Sequence, residues 1–179
     1  MDTAQSQPAA SPAPPPATPA DLFARLDRLG IAYTTHEHPP LFTVEDSKKL
    51  RGELPGGHCK NLFLRDKKRN LFLLVVLEDR AIDLKSLRDR LEANGNLSFG
   101  SPDLLLEVLG VIPGGVTPFA LLNDRARRVT VFLDKKMLGM TPLNYHPLSN
   151  ALTTAVAPAD LLRFIESCGH QPRLLDLDA

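Results

Sequence analysis

Apolar residues recur at helical spacing in five segments of the chain. The first segment begins at Thr18 and Pro19, ends at Gly30, and has its apolar stripe at Leu22, Phe23, Leu26 and Leu29. Threonine is a preferred N-cap, proline suits the first helical position, and glycine ends a helix. The same signals predict helices over 43–52, 83–93 and 158–168, and from Ser101 to the glycine-rich loop that follows.

Other apolar runs are short or alternate with polar residues, which is typical of strands. Residues 31–38 alternate, and residues 59–66 and 71–78 flank a basic turn as a hairpin. Further short strands are predicted over 97–99, 129–134 and 152–156. Because strands and helices follow no regular strand–helix–strand rhythm, we expect one α+β domain with a mixed, mainly antiparallel sheet surrounded by helices.

The N-terminal segment differs in composition from the rest of the chain. Residues 1–18 are rich in alanine, proline, serine and glutamine and contain no run of large apolar side chains. Such a segment cannot bury enough surface to offset the entropy lost on ordering. We therefore expect a disordered tail over 1–18 and a folded domain over 19–179.

Charge is balanced, with 21 lysine and arginine residues against 21 aspartate and glutamate residues. No global field attracts such a chain to long nucleic acid or to a membrane, so any RNA contact requires a local basic patch. The candidates lie at 47–52, 65–69, 125–128 and 134–136, and each is also typical of a solvated turn. Two cysteines without CxxC spacing, no signal peptide and no long apolar span lead us to expect a cytoplasmic protein with reduced thiols and no membrane contact.

Motifs of the common catalytic classes (GxSxG, HExxH, the P-loop and GxGxxG) are absent. His36 and His38 alternate on one face of a predicted strand, but no cysteine or carboxylate completes a metal-binding set. We interpret both as surface histidines and expect no metal. Cys59 follows His58, yet neighbours in a strand point to opposite faces, so Cys59 is expected to pack as a small hydrophobe.

Two segments carry polar groups that stand out from their surroundings. Lys60 lies in an otherwise apolar strand, where lysine is seldom buried without a partner. Residues 144–154 form a dense polar set that leads into a strand and contains His146, Asn150, Thr153 and Thr154. A loop satisfied by its own side chains would also explain that set.

A third segment, 108–124, combines a bare backbone with rigid turns. It holds three glycines and two prolines between apolar runs: Gly110, Gly114, Gly115, Pro113 and Pro118. Glycine permits the close approach of a ligand to backbone amides, and proline stiffens the turn. A tight connection between a helix and a strand is the commoner use of such a loop.

Taken together, these segments resemble the YbaK-like aminoacyl-tRNA editing domains, which include the editing insertion of bacterial prolyl-tRNA synthetases. The resemblance runs from about Asp21 to Ile165 and rests on GGHCKNLFLRDKK, GVIPGGVTPFALLND, YHPLSNALTT and APADLLRFI. Together with HPPLFTVEDSKKL, the lysine segment looks most like the free-standing members that hydrolyse alanine from mischarged proline tRNA. The resemblance thus implies a trans-editing deacylase that binds the acceptor end of a mischarged tRNA.

The resemblance also implies roles for individual residues. Lys60 would hold the terminal phosphate or the ester end of the substrate, and amides of Gly110, Gly114 and Gly115 would hold the aminoacyl carbonyl. The amino-acid side would be lined by His146, Phe42, Val44, Pro113 and Asn150. An aminoacyl ester is already activated, so oriented water and a stabilised oxyanion supply most of the acceleration without a cofactor.

Other functions remain open at this stage. The chain could deacylate another mischarged tRNA, such as one carrying cysteine, serine or threonine. It could instead bind tRNA without catalysis through its basic turns, or form an interaction domain in which the glycine loop is structural. We expect a monomer, with prolyl-tRNA synthetase as a further candidate partner.

Overall fold

The computed structural model of the chain describes residues 14–40, 45–46, 48–49 and 54–179. The described α-helices are α1 (Pro19–Arg28), α2 (Leu84–Arg90), α3 (Pro102–Leu109) and α4 (Pro158–Ser167). Two 3₁₀ helices among the described residues cover Pro118–Asn123 and Met137–Gly139. In the segment where the sequence predicts a helix over 43–52, Glu45, Asp46, Lys48 and Lys49 are helical.

Within the part of the chain that the structure describes, eight strands form a single mixed sheet. They are β1 (Tyr33–Glu37), β2 (Gly57–Arg65), β3 (Leu71–Leu77), β4 (Ser98–Phe99), β5 (Val129–Asp134), β6 (Leu143–Tyr145), β7 (Leu152–Val156) and β8 (Arg173–Leu175). Their order is β1-β7-β6-β2-β3-β5-β8, and β4 pairs with β2 beside this path. The pairs β1–β7, β6–β7, β2–β3 and β2–β4 are antiparallel, whereas β2–β6, β3–β5 and β5–β8 are parallel. The expected mixed, mainly antiparallel α+β domain is confirmed.

The helix α1 follows from its local sequence. Thr18 and Asp21 form a capping box, in which each side chain accepts a hydrogen bond from the backbone N–H of the other. Leu22 and Leu26 lie one turn apart and are fully buried. Full burial of a leucine stabilises the fold by about 2 kcal/mol, so this stripe fixes α1 against the sheet.

The two faces of the sheet carry separate apolar cores. The larger core packs α1, α3, α4 and the 3₁₀ helix Pro118–Asn123 against one face, with Phe119 and Phe164 at its centre. The smaller core packs α2 and the segment after it against the other face, through Leu87, Leu91 and Leu97. The strand β3 is buried on both sides because it lies between the two cores. Within the described part of the chain, no helix is long and apolar enough to cross a bilayer.

Among the described residues, packing extends slightly to the N-terminal side of the boundary predicted at Thr18. The backbone N–H of Ala17 donates to Asn123 Oδ1 at 2.7 Å. The side chain of Asn123 also donates through Nδ2 to the carbonyl of Leu109 at 2.8 Å. One asparagine therefore connects the N-terminal segment to the end of α3.

Candidate active site

One face of the sheet carries several polar side chains on β7, β6 and β2 and just beyond the ends of β1 and β6. We call it the polar face, defined by His38, Thr153, Asn144, His146, His58 and Lys60. The register supports this grouping, because His58 of β2 lies opposite Asn144 of β6, and Asn144 lies opposite Ala155 of β7. Side chains two residues apart along a strand share a face.

Lys60 and His146 both follow the positions at which β2 and β6 pair. β2 and β6 run parallel, and His58 pairs with Asn144. Lys60 lies two residues beyond His58, and His146 lies two residues beyond Asn144 in the same direction. The parallel pairing of β2 with β6 therefore brings the segments that carry these two residues to the same part of the sheet, although they are far apart in sequence.

His146 is held in a single ring orientation. Its Nδ1 donates to the carbonyl of Leu152 at 2.8 Å, which places the ring proton of the neutral form on Nδ1. Burial lowers the pKa of His146, and the neighbouring His38 lowers it further, while the bond to Leu152 acts in the opposite direction. Neutral His146 therefore presents an Nε2 lone pair that can accept a proton or orient water.

His38 lies beside His146, with ring centroids 6.1 Å apart. Its Nδ1 donates to the carbonyl of Pro39 at 2.9 Å, and its Nε2 lies 2.8 Å from the buried Thr153 hydroxyl. His38 is thus half-buried and hydrogen-bonded on both sides, whereas His36 is exposed. The expectation of two surface histidines holds for His36 alone. The described residues contain no group of three potential metal-ligating side chains.

Lys60 is half-buried, and its Nζ donates to the main-chain carbonyl of Arg80. It lies opposite Val76 of β3, on the face that carries the smaller core. An ammonium group has three N–H donors, so a lysine anchored by one bond can still donate to a substrate oxygen. This arrangement accounts for a cation in an apolar strand.

Two asparagines form a further signal that the sequence-based interpretation missed. Asn144 donates through Nδ2 to the carbonyls of Pro55 and Gly57 at 3.0 and 3.1 Å. Asn144 Oδ1 and Asn61 Oδ1 are buried and have no hydrogen-bond partner among the described residues. Such atoms are uncommon in native proteins. The sequence did contain a signal for Asn61, because it is a polar residue next to Lys60 in an otherwise apolar strand.

The glycine loop lies on the opposite side of the sheet from Lys60. Val111 and Val116 pack into the larger core, whereas Lys60 faces the smaller one. The N–H of Gly110 donates to Leu106 O at 3.0 Å, and the N–H of Gly115 donates to Ile112 O at 2.9 Å. These two amides are committed to local turns.

Gly114 is the remaining glycine of that loop. Its N–H has no backbone partner among the described residues. The oxyanion role predicted for this loop therefore stays a prediction that rests on Gly114, and the described contacts do not join the loop to the polar face.

Of the four other residues predicted to contact the substrate, the structure describes two. Asn150 is half-buried in the turn between β6 and β7, close in sequence to His146, and Pro113 is exposed in the glycine loop. Phe42 and Val44 lie outside the described residues, between β1 and β2. Their role in lining an amino-acid pocket stays a prediction.

Cys59 is not suited to nucleophilic attack. It faces the larger core, on the strand face opposite to Lys60. Burial raises the pKa of the Cys59 thiol to about 12. Because the thiolate is the reactive form, Cys59 stays inert at neutral pH, as its position in an apolar strand indicated.

The chain matches the model of the aminoacyl-tRNA editing domain over residues 38–164. It is 45% identical over 166 residues to the prolyl-tRNA synthetase associated domain-containing protein 1 of Danio rerio, covering 89% of this chain and 90% of that protein. It is 38% identical over 157 residues to the prolyl-tRNA editing protein ProX of Acetoanaerobium sticklandii, covering 87% and 95%.

A solved structure described as a candidate trans-editing enzyme for prolyl-tRNA synthetase shares the fold. Its TM-score is 0.67 at 20% identity, with 94% of this chain and 98% of that chain covered. The domain model spans well over half of the chain, and the two relatives align along most of it. The chain belongs to the aminoacyl-tRNA editing domain family.

Proposed function

We propose that this protein hydrolyses the ester bond of alanine mischarged onto proline tRNA. The observation that carries the proposal is the parallel pairing of β2 with β6, which brings the strand of Lys60 beside the segment that leads to His146, in a chain of the editing-domain family. The similarity to a prolyl-tRNA editing protein supports proline tRNA as the substrate. Alanine is the amino acid that the sequence resemblance favours.

Lys60 supplies the positive charge of the proposed site. Water attacks the ester carbonyl carbon, the carbonyl oxygen becomes an oxyanion, and the ribose oxygen then leaves with a proton. A fixed donor aimed at such developing charge contributes about 3 kcal/mol to the transition state. With one N–H bonded to Arg80 O, Lys60 Nζ is held so that another N–H can donate to the oxyanion or to the terminal phosphate.

His146 supplies the proton acceptor. Its Nδ1 is bonded to Leu152 O, so Nε2 of the neutral ring is the atom that can accept a proton from the attacking water. General base catalysis by a positioned histidine contributes about 10²- to 10⁴-fold. In this proposal His146 orients and deprotonates the water, while Lys60 stabilises the charge that forms on the ester.

Selection of alanine over proline depends on size. Proline carries a ring where alanine carries one methyl group, and a small rigid pocket excludes the larger side chain sterically. Phe42, Val44 and His146 are the residues that we propose as pocket walls. A mischarged tRNA is the partner in this scheme, with contacts at its acceptor end, and prolyl-tRNA synthetase is a second candidate partner.

The proposal is tested with a panel of aminoacylated tRNAs. The full chain is incubated with proline tRNA carrying labelled alanine, cysteine, serine or proline, and with alanine tRNA carrying alanine. We expect rapid release of alanine from proline tRNA and slow release of proline from the same tRNA. Equal rates with alanine and proline would contradict the proposal, and faster release of cysteine or serine would assign a different substrate.

A further inference from the structure

Arg80 lies in the turn after β3 between carboxylates from two distant segments. Its Nε donates to Asp134 Oδ2 at 2.6 Å, and its Nη1 and Nη2 donate to the two oxygens of Asp178 at 2.9 Å each. The side chain of Asp134 is fully buried, and that of Arg80 is 14% exposed. A planar guanidinium bonded on two edges has little freedom to rotate.

Electrostatics strengthens this arrangement. The hydrogen bonds that Arg80 donates to Asp178 and to Asp134 raise the pKa of Arg80, and the bond from Arg80 lowers the pKa of Asp178. Asp134 is also fixed from its other oxygen, because Oδ1 accepts from the backbone N–H of Lys136 at 3.0 Å. The guanidinium of Arg80 is therefore tied to β5 and to the C-terminal segment.

The main chain of the same residue faces Lys60. The carbonyl of Arg80 accepts a hydrogen bond from Lys60 Nζ, and its N–H donates to Leu77 O at 3.1 Å. The side-chain bonds to Asp134 and Asp178 therefore fix the carbonyl that holds the Lys60 ammonium. Lys60, Arg80, Asp134 and Asp178 form what we call the Arg80 network.

The C-terminal segment folds back so that Asp178 can join this network. The strand β8 pairs with β5, where Leu175 lies opposite Asp134. Beyond it, Arg90 of α2 donates to the main-chain oxygens of Asp176 and Ala179. The segment 176–179 is thus anchored on both sides of Asp178.

We propose that Arg80 is a positioning residue for Lys60 and that the C-terminal Asp178 is required for full editing activity. The inference rests on the proposed function of Lys60. Arg80 and Asp178 do not contact the ester in this scheme; they hold the carbonyl that directs the ammonium. Removing the Arg80 or Asp178 side chain should lower kcat. KM should change little, because the protein surfaces that bind the tRNA stay intact.

The experiment uses the full chain with Asp178→Asn, Asp178→Glu and Arg80→Lys substitutions. The matched control is Glu92→Gln, which removes a 3.2 Å ion pair to Arg173 of β8 without touching Arg80. Two quantities are measured: kcat and KM for release of alanine, and the rate at which an amine-reactive acylating reagent labels Lys60, followed by peptide mass spectrometry. The melting temperature of each variant is recorded.

We expect Asp178→Asn to lower kcat about two- to fivefold, the effect of losing one partly exposed ion pair, and to accelerate labelling of Lys60. Arg80→Lys should lower kcat by about tenfold or more because misplaced groups lose most of their effect. Asp178→Glu should restore part of the rate, and Glu92→Gln should match the wild type.

Unchanged kcat and unchanged labelling of Lys60 in Asp178→Asn would overturn the inference. Equal losses of kcat and of melting temperature in Asp178→Asn and Glu92→Gln would also overturn it, because Asp178 would then act through stability alone. A wild-type chain that releases no amino acid from any tRNA would sink the proposed function instead. The labelling rates would still decide whether the Arg80 network holds Lys60.

Discussion

Gly110 ends α3 directly against the side chain of Asn123. Its backbone is left-handed, with φ of +65°, and a Cβ built at this position would lie 2.7 Å from Asn123 Nδ2. Asn123 is held there by its bonds to Leu109 O and Ala17 N. Gly110 is therefore required by the packing of α3, whatever the chemistry of the loop.

Gly114 provides the matched control for Gly110. Its φ is +85°, but a Cβ there would meet nothing within 4 Å. We expect Gly114→Ala to cost about 1 kcal/mol of stability from backbone strain alone. Gly110→Ala should cost about 1–2 kcal/mol more, because Asn123 must move. Thermal and urea unfolding of both variants measure the difference, and equal losses would contradict the structural role of Asn123.

The variants Gly114→Ala and Gly110→Ala also test whether the glycine loop binds the oxyanion. If the N–H of Gly114 holds the aminoacyl carbonyl, Gly114→Ala should lower the rate of alanine release at a temperature where the variant is fully folded. Gly110→Ala should change that rate little at the same temperature. A normal rate in Gly114→Ala would assign the loop to the fold alone.

His146 predicts a pH dependence of stability. Burial lowers its pKa in the folded chain below the ordinary 6.5, so the unfolded chain binds a proton more readily. The free energy of unfolding should therefore fall as the pH drops through 6.5 and below. In His146→Gln this part of the decline should be absent, and urea titrations between about pH 7.5 and 5 compare the two proteins. Parallel curves would contradict the burial of a neutral His146.

The rate of editing should depend on the protonation of His146. A protonated His146 has no lone pair to accept a proton from water, so the single-turnover rate should fall as the pH drops, with a midpoint below 6.5. His146→Gln should lower the rate at neutral pH and flatten the profile. An unchanged profile in this variant would remove His146 from the proton-transfer step.

The N-terminal boundary predicts different effects for two truncations. Removing residues 1–13 leaves the Ala17 N–H bonded to Asn123, whereas removing residues 1–17 breaks that bond. One such hydrogen bond contributes about 1 kcal/mol. We expect the shorter truncation to retain the melting temperature of the full chain and the longer one to lower it by a few degrees. Identical melting temperatures would show that Ala17 contributes nothing.

Val44 tests the size of the amino-acid pocket. Val44→Ala should enlarge a pocket of which Val44 is a wall, and thereby raise the release of 2-aminobutyrate relative to alanine. Each additional methylene in such a pocket changes discrimination by about 1–3 kcal/mol. The ratio of the two rates and the melting temperature are measured together. An unchanged ratio with a lowered melting temperature would place Val44 in the core.

The elements with strong local signals could be predicted from the sequence. The Thr18 cap defines the start of α1, and the basic turn defines the β2–β3 hairpin. The strands β6 and β8 were not predicted, and each is defined by its pairing, with β2 and β7 for β6 and with β5 for β8. The same limit applies to the site. Lys60 stood out in its strand, but the position of that strand beside the polar segment 144–154 depends on the parallel pairing of β2 with β6.

The glycine loop shows the opposite case. Its glycines indicated positive φ, which Gly110 and Gly114 adopt, but the neighbours that a side chain at Gly110 would meet are Asn123 and Pro16. Those contacts depend on how the 3₁₀ helix and the N-terminal segment pack on α3. A sequence pattern indicates that a glycine is needed, whereas the neighbour that requires it is set by tertiary packing.

The most direct test of the account is the single-turnover rate of alanine release from mischarged proline tRNA by the wild type and by Lys60→Ala. The account predicts that Lys60→Ala folds with a melting temperature close to that of the wild type and loses about 10²-fold or more in rate, as expected for one charge-stabilising donor. A folded Lys60→Ala variant that releases alanine at the wild-type rate would contradict the placement of the editing site on the polar face.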